Sequence, residues 1–161
     1  MNLSKSNNKN NIPEDLFYSA LKSAVDAVLI AKPDGEILWV NDAFELLTGY
    51  TYKEAIGNYT SLLKSGRQPE QFYKNMWNTL TSGNVWQGEL WNRRKDGQEY
   101  YEDQTITPIL DGDNQVTYFV AIKRDISEKV AIKQQLEHSE KMDAIGLIVG
   151  GISHNFNNKL A

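Results

Sequence analysis

Val85-Trp-Gln-Gly-Glu-Leu-Trp-Asn-Arg-Arg94, Tyr100-Tyr-Glu-Asp-Gln-Thr-Ile-Thr-Pro-Ile-Leu110 and Val116-Thr-Tyr-Phe-Val-Ala-Ile-Lys-Arg-Asp-Ile126 are three long runs rich in β-branched and aromatic residues. They are separated by Lys95-Asp-Gly and Asp111-Gly-Asp-Asn, clusters that supply the backbone conformations of tight turns. Consecutive hairpin strands are therefore expected. A two-residue turn at Gly112-Asp113 would set Leu110 opposite Gln115. Counting back in register then sets Glu102 opposite Lys123, so two opposite charges are expected to meet across the last hairpin.

Upstream of these strands the apolar period changes. Phe72, Met76 and Leu80 recur every fourth residue with Trp77 beside them, between Pro69 and Gly83, which predicts a helix with one buried face. Shorter helical pieces are expected at Lys53–Ile56 and Ser61–Lys64. Another covers Ala43 to Leu47, capped by Asn41 or Asp42 and stopped by Gly49. Ala27–Ala31 and Glu36–Asn41 form a hairpin around Pro33-Asp-Gly, where proline presets the turn and glycine accepts positive φ. Pro13 opens an entry helix with Leu16, Phe17, Ala20, Leu21 and Ala24 as its apolar stripe. Residues 1–12 are Asn, Lys and Ser with almost nothing apolar, and are expected to lack structure of their own. Two strands, a run of small helices and three strands predict an α+β domain: a five-stranded antiparallel sheet with the helices on one face.

Downstream, Ser127 is the expected N-cap of a helix occupying residues 128–161. Within it Met142, Ile145, Val149, Ile152 and Phe156 are spaced 3, 4, 3 and 4, the rhythm of a helix that buries one seam against a partner, so a parallel homodimeric coiled coil is expected. The seam extrapolates back to His138, Gln135 and Ala131, whereas the apolar residues there are Val130, Ile132 and Leu136; the phase slips. His154 is off the seam, where its imidazole is reachable by another molecule.

The 161 residues fit one domain (13–127) and that extension. A net charge of -4 without a basic run does not suggest nucleic acid as a partner. The absence of cysteine excludes disulfides and thiolate metal sites, and no metal site is expected. With no apolar segment of membrane-spanning length and no secretory signal, a cytoplasmic location is expected.

Two resemblances are carried by particular strings. Asn41-Asp-Ala-Phe, Thr48-Gly-Tyr, Ile56-Gly, Trp86-Gln-Gly-Glu, Arg94-Lys-Asp-Gly and Arg124-Asp-Ile-Ser, in that order, resemble a PAS sensor domain over residues 14 to 127. Met142-Asp-Ala-Ile-Gly followed by Gly150-Gly-Ile-Ser-His-Asn-Phe-Asn-Asn resembles the phosphoacceptor box of sensor histidine kinases. That resemblance implies that His154 accepts the γ-phosphoryl group of ATP and passes it to a response regulator. Asn155 stands where the family usually has an acid that polarises the imidazole. It further implies a kinase ATP-binding domain as a partner, since no glycine-rich phosphate loop is visible in this sequence. The chain alone is expected to be inactive as an enzyme.

PAS cores hold cofactors, metabolites or only their own side chains. Haem is disfavoured because the two histidines, His138 and His154, lie outside the core. In blue-light flavin members a cysteine forms the photoactive thiol; Thr60 occupies that position. Of their three flavin-facing amides Asn92 survives, while Glu102 and Lys123 replace the others. Arg67-Gln68, Met76-Trp77, Trp86, Gly88 and Asn92-Arg-Arg resemble redox sensors that hold FAD. The resemblance makes Trp86, Asn92, Glu102, Phe119 and Lys123 the candidate pocket and FAD a candidate cofactor, with a plain apolar core as the alternative. The function expected is sensory input to a two-component histidine kinase; the other class is a stand-alone ligand-binding or interaction module that dimerises through its last helix.

Overall fold

The computed structural model describes residues 13–159, with side chains through Gly146; the segment 1–12 lies outside the described residues. The chain divides into two compact units, with the boundary between Arg124 and Asp125.

The first unit opens with α1 (Glu14–Lys22), followed by β1 (Ala27–Ala31) and β2 (Ile37–Val40). Three short helical pieces come next: α2 (Asp42–Thr48), α3 (Tyr52–Ala55) and a 3-10 turn at Thr60–Leu63. Then come α4 (Glu70–Thr81), β3 (Trp86–Arg93), β4 (Glu99–Leu110) and β5 (Val116–Asp125). The strands form one antiparallel sheet in the order β2-β1-β5-β4-β3, so the first and last strands are neighbours at its centre.

All three hairpins use the same device. Lys32 N–H donates to Glu36 O, Arg94 N–H to Gln98 O and Asp111 N–H to Gln115 O, each closing a three-residue loop. The third loop residue, Gly35, Gly97 or Asn114, takes positive φ. At the last hairpin this corrects the expected two-residue turn: the loop is Gly112-Asp113-Asn114, with Asp111 Oδ1 accepting the N–H groups of Asp113 and Gln115. Asparagine tolerates the left-handed region because its short polar side chain bonds locally.

Alternation decides the faces. On β4, Tyr100, Glu102, Gln104 and Ile106 are buried, and on β5, Phe119, Ala121 and Lys123. Ala27, Leu29 and Ala31 of β1 stand opposite Lys123, Ala121 and Phe119. This face packs against Phe44, Ala55, Leu63, Met76 and Leu80 from the helical pieces, which makes the core. Asn41 fastens the entrance. Its Oδ1 accepts the N–H of Val28 (2.9 Å) and of Phe44 (3.0 Å), the latter as N-cap of α2, and its Nδ2 donates to Asp26 O (3.0 Å).

The second unit is one helix, α5 (Ser127–Lys159). Ser127, expected as its N-cap, is the first helical residue, and the carboxylate of Asp125 accepts the Ser127 N–H at 2.8 Å. Ile132, Leu136, Met142 and Ile145 are exposed on the single chain. No described helix is long and apolar enough to cross a membrane.

Candidate ligand cavity

A cavity of about 330 Å³ lies between the sheet and α4, within the range of small-molecule sites. Its existence follows from the sequence of the central strands. Ala31 and Ala121 stand on β1 and β5 where larger β-branched residues would close the gap, and both line the space. From the other side α4 presents Tyr73, Met76, Trp77 and Leu80, at i, i+3, i+4 and i+7, the stripe of one helix face. Trp77 meets Phe119 edge-on with ring centroids 5.7 Å apart. Lys64 stands at the wall with its Nζ 3.8 Å above the Tyr73 ring.

The sheet gives the wall three polar side chains from adjacent strands, Asn92 on β3, Gln104 on β4 and Lys123 on β5, exposed by only 4%, 7% and 4%, and Asp34, Thr60, Ser61 and Lys64 line the cavity from outside the sheet. Behind the three strand residues Glu102 is fully buried. Lys123 Nζ donates to Glu102 Oε1 at 2.7 Å and Asn92 Nδ2 donates to the same oxygen at 2.8 Å. The cross-strand pair expected from the hairpin is thus present. Glu102 Oε2 and the Tyr100 hydroxyl are buried without a partner in hydrogen-bonding geometry. Burial, reinforced by the negative charge of Glu102, pushes the Tyr100 phenol far above its ordinary range, so it stays protonated. The same causes raise Tyr73.

Of the five residues singled out as a pocket, Asn92, Phe119 and Lys123 line the cavity. Glu102 does not: it sits behind the wall and orients Asn92 and Lys123. Trp86 is also off the wall. Its indole folds back over Gly88, where a Cβ would lie 2.7 Å from the ring, and meets Phe72 of α4 edge-on at 5.7 Å. A glycine two residues along the same face leaves the room for that ring. The tryptophan facing the cavity is Trp77. Arg67 is engaged elsewhere, over the Trp91 ring and 2.6 Å from Glu99. Gln104 was missed, although strand alternation from Glu102 already puts it on the inner face. The side chains of His154 and Asn155, on α5, lie outside the described residues.

For flavin the decisive observation is the unspent polar capacity of this wall. The ring's pyrimidine edge carries an N–H between two carbonyls, and Gln104, Lys123 and Asn92 supply complementary donors and acceptors beside flat apolar walls. These residues fit such a ring, which when bound would contribute redox or light-absorbing chemistry.

The family model described as PAS domain matches residues 25–128. A nitrogen fixation regulatory protein of Klebsiella oxytoca is 33% identical over 131 residues, 81% of this chain and 26% of its own length. A hybrid signal transduction histidine kinase L of Dictyostelium discoideum is 28% identical over 90% of this chain and 8% of its own. The chain therefore spans about a quarter or less of these two relatives. Among solved structures, an RNA-binding light-oxygen-voltage receptor superposes with a TM-score of 0.73, at 24% identity, over 88% of this chain and 40% of that one. Sheet order, cavity position and family match converge on one assignment, and the chain belongs to the PAS domain family.

Proposed function

We propose that this chain is the sensory input segment of a two-component histidine kinase. The PAS core binds the signal or its cofactor, α5 pairs with a second copy in parallel, and His154 accepts phosphate from a kinase ATP-binding domain for transfer to a response regulator. The observation that carries this reading is one of continuity. A single uninterrupted helix begins two residues after the end of β5 and runs through the whole Gly150-Gly-Ile-Ser-His-Asn-Phe-Asn-Asn string. A shift of the last strand on ligand binding would thereby act on the helix that bears the histidine. The exposed Ile132, Leu136, Met142 and Ile145 favour a partner helix, and the slipped apolar phase favours two packings of that pair that differ little in free energy.

Phosphoryl transfer requires in-line approach and stabilisation of charge on the moving group, both supplied by the catalytic domain; the acceptor needs only to be accessible and aimed. Gly150 and Gly151 each weaken the preceding turn by about 1 kcal/mol relative to alanine, which eases that aiming. The test is acid-labile labelling by a matching catalytic domain and ATP, with wild type beside His154→Gln. Labelling of wild type alone is expected, with no labelling when the catalytic domain is omitted. Equal labelling of both proteins, or of neither, would return the chain to the binding-module reading.

A further inference from the structure

The last two residues of the first unit, Lys123 and Arg124, are both held by carboxylates, on opposite faces of β5. Lys123 reaches inward to Glu102 behind the cavity wall, and Arg124 outward to Asp26. The second contact is a fork: Arg124 Nε donates to Asp26 Oδ1 at 2.9 Å and Nη2 to Oδ2 at 2.6 Å. It continues the register of the sheet. Ala27 stands opposite Lys123, so Asp26 and Arg124 are the next rung of the same antiparallel ladder, joined through side chains where β1 begins. The hydrogen bonds from Arg124 hold the Asp26 carboxyl below its ordinary range, so the pair is ionised at neutral pH.

The backbone of Asp26 is fixed from the other side by Asn41. Asn41 Nδ2 donates to Asp26 O at 3.0 Å and faces the carbonyls of Leu21 and Ala24 at 3.3 and 3.4 Å. Leu21 belongs to the last turn of α1, so one path of polar contacts leads from the end of α1 through Asn41 and Asp26 to Arg124. Beyond Arg124 only Asp125 and Ile126 precede Ser127, the first residue of α5, and the Asp125 carboxylate accepts the Ser127 N–H.

At the start of this path α1 is lightly held. None of its residues is buried; Tyr18 meets the Trp39 ring edge-on at 6.1 Å, and Lys22 lies 3.9 Å from Asp42. Elements with few buried contacts open at small cost. A half-exposed ion pair contributes little to stability, but two parallel bonds between planar groups fix a relative orientation, which is what coupling requires.

We propose that Asp26 and Arg124 couple α1 to the start of α5, making α1 a second input to the output helix beside the cavity. Loosening of α1 frees Asp26, and release of the fork loosens the end of β5 from which α5 departs. Coupling of this kind is reciprocal, so opening of the first turns of α5 loosens α1 by the same factor. The two inputs arrive at adjacent residues, Lys123 from the cavity side and Arg124 from α1. The inference rests on α5 being the output element, and not on His154.

The experiment is native-state amide hydrogen exchange of the 161-residue protein, read at residues 130–134 in α5 and 17–22 in α1. Ser19→Pro, in the interior of α1, removes a helical hydrogen bond and opens that helix without touching the fork. With the fork intact it should speed exchange at residues 130–134 by roughly fivefold or more. In an Arg124→Gln or Asp26→Ala background the same change should leave residues 130–134 unaltered while α1 still opens. No response of α5 with the fork intact, or an equal response with the fork cut, overturns the proposal. The two cuts are made at different residues, so misfolding of one variant, seen by circular dichroism, leaves the other to decide. Exchange is read without ATP or a catalytic domain, so this test and the labelling of His154 fail separately.

Discussion

The Glu102–Lys123 pair allows the energetics of the cavity wall to be measured directly. Glu102 is fully buried and Lys123 is 4% exposed, so water cannot replace either partner. Lys123→Met keeps the aliphatic length but leaves the carboxylate with one hydrogen bond, from Asn92, at Oε1 and none at Oε2. Removing one member of a buried pair costs about 3–5 kcal/mol. Domains of this size are stable by about 5–15 kcal/mol, so the loss is a large fraction of the total. With a urea m-value of about 2 kcal/mol/M, the midpoint should fall by roughly 2 M. Replacing both groups, Glu102→Leu with Lys123→Met, removes both desolvation penalties but leaves the buried Asn92 amide N–H without its acceptor, a cost of about 1–3 kcal/mol, so the double variant should regain part of the loss. The four proteins of this cycle are compared by urea unfolding followed by far-UV circular dichroism. A cost below about 1 kcal/mol for Lys123→Met would mean that the pair behaves as an exposed one, and a double variant no more stable than Lys123→Met would mean that shape rather than charge decides; either result refutes the reasoning.

Three further outcomes are expected. Asn41→Ala should cost about 2–4 kcal/mol in urea unfolding, since it removes the α2 N-cap and leaves the buried Val28 N–H without its acceptor; a loss no larger than that of an exposed cap would count against Asn41 as the tie between β1 and α2. Lys95, with the Thr51 backbone and hydroxyl, holds the Glu54 carboxyl down to about 2, so this group's contribution is present above pH ~4.5 and is lost as pH falls towards 2; Glu54→Gln should flatten that part of the stability profile, measured by thermal melts between pH 2 and 6. Gly88→Ala should destabilise by about 1–3 kcal/mol through collision with the Trp86 ring, and Trp86→Leu in the same protein should relieve most of it; no relief would place the strain elsewhere.

Much of this fold was legible because its signals are local. The helix face of α4, the Asn41 cap and the three hairpins are each written within a few residues of where they act. The Glu102–Lys123 contact is present, but the count that gave it started from a turn the structure does not have: with Asp111 facing Gln115, a regular ladder would set Glu102 opposite Arg124, so the turn alone does not account for the pair. The three-residue loop that closes the last hairpin was misjudged by one residue, because Asn114 serves at positive φ as Gly35 and Gly97 do in the other hairpins. Trp86 and Trp77 show the limit of side-chain type as a signal. Both are large and aromatic, and only the space over Gly88 and the approach of α4 decide which one faces the cavity.

By itself the sequence determined the α+β class, the hairpins, the helices and the alternation that puts Glu102, Gln104 and Lys123 on the inner face. Tertiary structure alone decided that β1 lies beside β5, because that pairing joins residues nearly a hundred positions apart and no turn fixes its register. From it follow the adjacency of Ala31 and Ala121 to the cavity, and with the sheet closed by α4, an amide at Gln104 that has nowhere to turn but inward. Local patterns specify which face a residue occupies; the space in front of that face is set by elements brought there from elsewhere in the chain.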